Sequence, residues 1–226
     1  MRRVVIIFCT AVVAGACSGG GEEPEATSTA GGPLPTTTDT QAALVAESLP
    51  ALALSAQELP RGYEVNREGF VPTREPVVAA YRRSFDPGGE ELGDSTVDLV
   101  STDVVLFQNE RDAAGGLAAL AAALTGADVQ GQFAELVEAS AGLDVSRVRG
   151  QTLATPELGD GTLVARASFR TDDGPRDAIF LVTRVGRLQG AVFVLGRRDK
   201  LRLEDAGRAL ELLIARLQAA SGQAEA

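Results

Sequence analysis

The chain contains no histidine and no tryptophan, and Lys200 is its only lysine. The absence of histidine excludes Ser-His-Asp and Cys-His nucleophile systems, histidine general bases and histidine metal ligands together. A serine–lysine mechanism would have to use Lys200, but no Ser-x-x-Lys spacing places a serine beside it. These absences favour a binding protein over an enzyme.

Positive charge is also scarce, since the formal net charge of the chain is −10. Loss of an N-terminal segment carrying Arg2 and Arg3 would leave a net charge of −12. A chain this acidic is repelled by phosphate backbones and by anionic lipid surfaces. The composition therefore predicts that nucleic acid is not a partner.

The N-terminus reads as an export signal. A positive start at Arg2 and Arg3 precedes the apolar run Val4–Val13, which is shorter than the roughly 20 residues that a membrane-spanning helix needs. A cleaved signal at residues 1–16 is therefore expected. The sequence Ala14-Gly15-Ala16-Cys17 resembles the lipobox of bacterial lipoproteins, with alanine at a position where leucine is commoner. The resemblance implies lipidation of Cys17 and anchoring to the outer side of the cell membrane.

The alternative is an ordinary secretory signal followed by an incidental cysteine. The next residues favour the lipid anchor, because Ser18–Thr40 is rich in glycine, threonine, proline and acid and has little to bury. We expect residues 17–40 to form a lipidated cysteine and a disordered tether that holds the domain about 25–30 Å from the lipid. The domain, residues 41–226, contains no cysteine and so forms no disulfide.

The hydrophobic pattern is clearest between Gly161 and Leu195, which predicts three antiparallel strands. Gly186 and Arg187 form a two-residue loop of type II′ character that sets Val185 opposite Leu188. The same register sets Phe180 opposite Phe193. Both faces of this strand pair are apolar, so both faces should be covered. One face carries Ile179, Leu181, Val185, Val192 and Val194, and the other carries Phe180, Val182, Ala191, Phe193 and Leu195.

The remaining pattern predicts an α+β domain with an antiparallel sheet of about five or six strands, helices packed on it and a C-terminal helix. Further strands are expected at 62–70, 77–85 and 96–108, the last with a bulge at Ser101–Asp103, and near 145–153. Helices are expected at 41–49, stopped by Pro50, and at 203–220. Two more are expected after the caps Asn109 and Asp128, the second of them ending at Gly142. A capping box at Ser55–Glu58 predicts one helical turn.

This plan of lipobox, tether and α+β domain resembles the small envelope lipoproteins of actinobacteria. Some of these fold like the PsbP/Mog1 group or like the sensor domains of membrane kinases. The resemblance is specific in Met1–Cys17, and residues 41–226 carry no family motif. No functional residue is therefore transferred to the domain.

Two acidic groups are candidates for chemistry. Paired carboxylates can hydrolyse glycosides or bind calcium, and the first group lies in a glycine-rich loop before a strand. The second lies in a turn, and neither has the spacing of an EF-hand. The simpler interpretation of both is a solvated acidic surface. The first group is Glu90, Glu91, Asp94 and Asp98, and the second is Asp172, Asp173 and Asp177.

Three arginines are candidates for a binding site. Arg166, Arg170 and Arg184 would hold an anion if the strands bring them to one face of the sheet. The alternative is a solvated polar face whose aliphatic stems cover apolar neighbours.

The sequence thus predicts a non-enzymatic lipoprotein, of binding or sensor and accessory type, that presents one domain outside the membrane. No cofactor and no metal are expected, and the partner is a protein or a small molecule. The alternative is a carrier of a lipid or other apolar ligand, held between sheet and helices near Phe180 and Phe193. A carboxylate- or metal-dependent enzyme is the least favoured interpretation.

Overall fold

A seven-stranded antiparallel sheet forms the middle layer of the molecule, with two helices on each face. The computed structural model describes residues 37–88, 97–154, 158–198 and 200–224. Within these ranges no helix combines the length and the apolar character needed to cross a membrane. The elements are α1 (Thr37–Leu52), a 3₁₀ turn (Ala56–Glu58), β1 (Tyr63–Phe70), β2 (Val77–Pro87), β3 (Val97–Phe107), α2 (Glu110–Ala123), α3 (Val129–Ala141), β4 (Ser146–Leu153), β5 (Gly161–Thr171), β6 (Gly174–Val185), β7 (Leu188–Arg197) and α4 (Leu203–Ala224).

The strand order is β1-β2-β3-β7-β6-β5-β4, so β3 and β7 meet at the centre and β1 and β4 form the edges. Helix α4 packs on β6 and β7, and α1 packs on β2 and β3 of the same face. Helices α2 and α3 cover the opposite face. The fold is therefore α+β with a C-terminal helix, as predicted, but the sheet has seven strands rather than five or six.

The central hairpin confirms the predicted register. Val185 pairs with Leu188 and Phe180 pairs with Phe193. Gly186 has φ 56°, as the first position of a type II′ turn requires. Each predicted apolar set lies in a separate core, one under α1 and α4 and the other under α2 and α3. A strand pair that is apolar on both faces is thus covered on both faces.

Three predicted boundaries were wrong. The turn that holds the second acidic group, expected at 171–177, is shorter, because Thr171 already pairs with Gly174 and the two strands continue to it. Helix α1 begins at Thr37 and passes through Pro50, which was expected to stop it. Because Pro50 lies in the last turn, the hydrogen bond that its missing N–H removes and the crowding of its ring against the preceding turn affect only the end of the helix.

The bulge expected at Ser101–Asp103 is absent, and β3 stays in regular register with β2 there. The apolar alternation fails because buried polar side chains find partners across the ladder. Ser101 and Ser84 share a hydrogen bond of 3.0 Å between their hydroxyl groups. Asp103 pairs with Arg82 at 2.6 Å. A break in an apolar pattern thus marked a polar pair and not a change in backbone geometry.

The helices on the second face begin and end near the predicted signals. The Asn109 side chain accepts a hydrogen bond from the Asp112 N–H at 2.9 Å, which caps α2. Gly142 ends α3 in the left-handed conformation, with φ 69°. Asp128 precedes α3, but its side chain makes no capping hydrogen bond. At Gly150 a Cβ atom would lie 1.8 Å from the Phe133 ring, so glycine permits α3 to pack on β4.

Candidate functional site

A cleft of about 660 Å³ opens at the end of the sheet where β4 and β6 begin and β5 and β7 end. It contains five of the chain's arginines, and we call it the arginine cleft. Its lining residues are Arg147, Arg149, Gly150, Gln151, Arg166, Ser168, Arg170, Asp177 and Arg198.

Strand alternation brings these side chains to one face. Ser168 pairs with Arg149 on one side and with Asp177 on the other, and residues paired across a ladder share a face. Arg166 and Arg170 lie two residues either side of Ser168, so they project in the same direction. Nearer the centre of the sheet this face turns apolar and enters the core under α1 and α4, beginning at Val164 and Ile179.

The floor of the cleft (Arg166, Ser168, Asp177 and Arg198) is organised by one carboxylate. Asp177 is 1% exposed. It accepts hydrogen bonds from Ser168 Oγ at 2.6 Å and from Arg166 Nη2 at 2.5 Å. Arg198 Nε lies 3.8 Å from Asp177 Oδ1, which is an ion pair but too long for a hydrogen bond. That buried Nε has no hydrogen-bond partner within the described part of the chain.

The rim of the cleft (Arg147, Arg149 and Arg170) is different, because all three side chains are exposed. Among the described residues, no carboxylate lies within ion-pair distance of their guanidinium groups. Five arginines against one aspartate give the lining a formal charge of +4, in a chain whose net charge is −10. The cleft therefore concentrates unneutralised positive charge in an acidic protein.

The backbone of β4 is strained at the rim. Arg147 has φ 53° and is the one residue other than glycine with a positive φ in the described ranges. A left-handed conformation costs a residue with a Cβ atom about 1–2 kcal/mol. The pairing with β5 shifts register between Ser146 and Arg149, which marks a bulge at this point. Bulges re-aim side chains at the edges of sheets, and this one places Arg147 in the cleft.

Two of the three arginines predicted as an anion site meet here. Arg166 and Arg170 line the cleft. Arg184 does not, because it projects from the α2/α3 face of β6 and pairs with Asp160 at 3.4 Å. The prediction missed Arg147 and Arg149, whose alternate spacing on an edge strand was the available signal.

The prediction also missed Arg198 and the buried Asp177. Arg198 follows the end of β7, far in sequence from the other arginines. Asp177 had been assigned to an acidic turn, whereas it lies within β6 opposite Ser168. Neither position carries a local sequence signal for a site.

The acidic candidates are only partly described. Glu90, Glu91 and Asp94 lie outside the described residues, and Asp98 pairs with Arg176 at 2.8 Å. In the second group, Asp177 is engaged by arginines as described above. The described ranges contain no cluster of three or more acidic, cysteine or histidine residues that would hold a metal ion. Cys17 and the predicted signal also lie outside the described residues.

The apolar site expected near Phe180 and Phe193 is packed. The two ring centroids lie 4.9 Å apart, and Phe133 of α3 lies 6.0 Å from Phe180. All three side chains are almost fully buried. These aromatic residues are part of the hydrophobic core under α2 and α3.

A second cleft of about 580 Å³ lies between the 3₁₀ turn and α4. Its walls are partly apolar, with Leu59, Val100, Val194 and Leu212 among them. Glu58 lines one side, and its carboxylate accepts hydrogen bonds from the Ser55 N–H and hydroxyl and from Arg216. Burial alone would raise the pKa of Glu58, but these bonds and the charge of Arg216 outweigh it and leave the pKa below its ordinary value.

No protein-family model matches the chain, and no curated protein matches it either. Among solved structures, the fold is similar to the extracellular domain of PknH from Mycobacterium tuberculosis. The TM-score is 0.54 at 10% sequence identity, over 77% of this chain and 96% of that domain. The likeness confirms, at the level of the fold, the predicted resemblance to sensor domains of membrane kinases.

Proposed function

We propose that this protein is a lipid-anchored, extracytoplasmic binding domain of sensor or accessory type, whose arginine cleft holds an anionic ligand. One observation carries the proposal: the rim guanidinium groups of Arg147, Arg149 and Arg170 have no carboxylate partner among the described residues. The planar guanidinium fork matches carboxylate and phosphate groups, so these three side chains around one cleft offer their charge and donors to an anionic ligand.

The chemistry of the cleft supports binding rather than turnover. Its side chains supply hydrogen-bond donors and positive charge, but no thiol or imidazole. Its serine hydroxyl donates to Asp177, an acceptor that arginine already engages. The similarity to the extracellular domain of PknH supports an extracytoplasmic setting for the fold.

Anion binding is tested by calorimetric titration of the full-length protein, purified in a nonionic detergent, with phosphate, sulfate, citrate and tripolyphosphate. We expect saturable one-to-one binding of at least one of these anions, weakening as sodium chloride is raised. Replacing two rim arginines together (Arg149→Gln with Arg170→Gln) should abolish it. If no anion binds, or if the double variant binds as well as the unmodified protein, the proposal fails.

The anchor is tested separately, by cell fractionation with a high-salt wash and by incorporation of labelled acyl chains. We expect the unmodified protein to be labelled and retained in the membrane fraction. Cys17→Ala should abolish the label and block normal processing, because the lipid supplies the membrane affinity. An unlabelled wild type, or a variant that is cleaved and released like it, would show that residues 1–16 are only a secretion signal.

A second candidate function is a carrier of a lipid or other apolar ligand. The cleft between the 3₁₀ turn and α4 favours it, since its partly apolar walls enclose a volume within the range of small-molecule sites. Native mass spectrometry of the protein purified without lipid extraction tests it. A retained adduct that is lost in Leu212→Arg would support a carrier, and an adduct-free protein would exclude it.

A further inference from the structure

The arginine cleft has its charge arranged in two layers, and this arrangement narrows the class of anion that the proposed function requires. The floor is partly neutralised, because Asp177 engages Arg166 and Ser168 and lies near Arg198. The rim, formed by Arg147, Arg149 and Arg170, has no such counter-charge among the described residues. A ligand of one negative charge would leave most of the +4 lining unneutralised.

The volume of the cleft points the same way. At about 660 Å³ it lies within the range of pockets that hold drug-sized ligands, and a single inorganic anion would fill a small part of it. The arginines come from two adjacent strands, β4 and β5, and from the residue after β7, so they are spread along the lining of the cleft. The ligand therefore needs several anionic groups spread over the length of the cleft.

Arginine geometry favours phosphate for those groups. A guanidinium fork donates two parallel hydrogen bonds to a phosphate, and each phosphate group offers more acceptor oxygens and more charge than a carboxylate. The strained backbone at Arg147 fits this demand, because it adds one more guanidinium to the rim at a position where glycine would be unstrained.

We propose that the arginine cleft binds a multiply phosphorylated ligand, with two or more linked phosphate groups. This inference rests on the proposed function and specifies its ligand. The phosphates belong either to a soluble polyphosphorylated compound or to a lipid diphosphate headgroup, since the cleft chemistry is the same for both.

Calorimetry on the detergent-purified full-length protein tests the inference, with tripolyphosphate, inorganic phosphate and citrate as probes. Tripolyphosphate should bind at least tenfold more tightly than phosphate or citrate at the same ionic strength. If citrate or phosphate binds as tightly, the proposed function survives and this inference is overturned. If none of the three binds, this inference is overturned, and if sulfate does not bind either, the proposed function fails with it.

The lipid source is tested with phosphatidylcholine vesicles carrying a prenyl diphosphate, against vesicles of phosphatidylcholine alone. The cosedimentation experiment should use a Cys17→Ala variant that lacks residues 1–16. Without the lipid anchor, any binding to the vesicles then reports on the cleft. Binding to the diphosphate vesicles that free tripolyphosphate competes away supports the inference and shows that the cleft accepts lipid headgroups. If tripolyphosphate binds but the diphosphate vesicles do not, the inference is supported and the ligand is a soluble polyphosphorylated compound.

Two substitutions with equal charge change separate the cleft from general electrostatics. Arg149→Gln removes a rim arginine of edge strand β4, and Arg67→Gln removes an exposed arginine from edge strand β1 at the other end of the sheet. Arg149→Gln should weaken tripolyphosphate binding about tenfold, and Arg67→Gln should change it less than twofold. Equal losses in the two variants would overturn the assignment to the cleft.

Arg147→Gly gives an independent test, because it should raise the melting temperature while lowering affinity. Glycine relieves the positive φ, so a gain in thermal stability is expected even though a side chain is lost. The loss of a rim guanidinium should weaken tripolyphosphate binding several-fold. A variant that keeps full affinity would show that Arg147 takes no part in the site.

Discussion

Two arginine–aspartate sites lie on opposite faces of the same sheet. The same two residue types form a structural ion pair in one site and a proposed ligand site in the other. On the α2/α3 face, Arg82 of β2 holds Asp103 of β3 through two hydrogen bonds, of 2.6 and 2.8 Å. A third nitrogen of Arg82 donates to the Ala139 carbonyl at 2.9 Å, in the last turn of α3. In the arginine cleft, Asp177 faces an excess of arginine.

The two sites differ in the ratio of arginines to aspartates and in how deeply these side chains are buried, not in residue type. The Arg82 and Asp103 side chains are 8% and 13% exposed, and their charges cancel one to one. Such a pair joins two strands and satisfies a carbonyl at a helix end, where four carbonyls lack intrahelical partners. In the cleft, one carboxylate serves Arg166 and Arg198 while the rim has no counter-charge among the described residues. In this sheet, surplus positive charge marks the proposed ligand site, and balanced charge marks the structural pair.

Asp103→Ala removes one partner of the structural Arg82–Asp103 pair, and of the three substitutions it should lower stability the most. It removes the carboxylate that accepts two hydrogen bonds from the buried guanidinium of Arg82, for which we expect a loss of about 3–5 kcal/mol in the free energy of unfolding. Urea denaturation followed by circular dichroism measures it. Anion affinity of the folded fraction should not change, because Asp103 lies on the face of the sheet opposite the cleft. A loss below about 1 kcal/mol would show that Arg82 is not held by charge balance.

Asp177→Asn should change the two properties of the cleft in opposite directions. The amide keeps the shape of the carboxylate but loses its charge-assisted hydrogen bonds to Arg166 and Ser168, so stability should fall by about 1.5–3 kcal/mol. The formal charge of the lining rises from +4 by one unit, so anion affinity should increase. Denaturation and calorimetry on the same preparation give both results. If affinity falls instead, Asp177 positions the arginines more than it neutralises them.

Glu58→Gln tests the Glu58–Arg216 pair, which is of intermediate burial, and should have the smallest effect on stability. The pKa of Glu58 in the folded protein lies below its ordinary value. The carboxylate therefore stabilises the fold at pH values above the pKa that Glu58 has in the unfolded chain. That contribution is lost as the pH falls through the lower pKa of the folded state. At pH 7 the variant should lose about 1.5 kcal/mol, the value typical of a hydrogen bond to a charged group.

The pH dependence provides the control for this third prediction. The difference in unfolding free energy between wild type and Glu58→Gln should shrink as the pH is lowered below about 4, near the ordinary pKa of glutamate. Thermal melts across this range measure it. A difference that stays constant with pH would assign the effect to packing around Arg216 rather than to the charge of Glu58.

Much of the fold was predictable because its signals are local. A glycine-first turn set the register of β6 and β7, and the apolar residues on both faces of that strand pair required both faces to be covered. The Asn109 cap and Gly142 located the helices that follow β3. Interruptions were harder to interpret: the polar residues Ser101–Asp103 suggested a bulge, since a pattern does not reveal a partner on another strand.

By itself the sequence determined the class of the domain, the central hairpin and the absence of histidine chemistry, because composition and short-range periodicity are sufficient for these. It also placed Arg166 and Arg170 on one face of β5, by alternation alone. Only the tertiary structure decided that Arg147, Arg149 and Arg198 join them and that Arg184 does not. Strand order and register bring distant residues together, and both follow from the packing of the whole sheet against its helices.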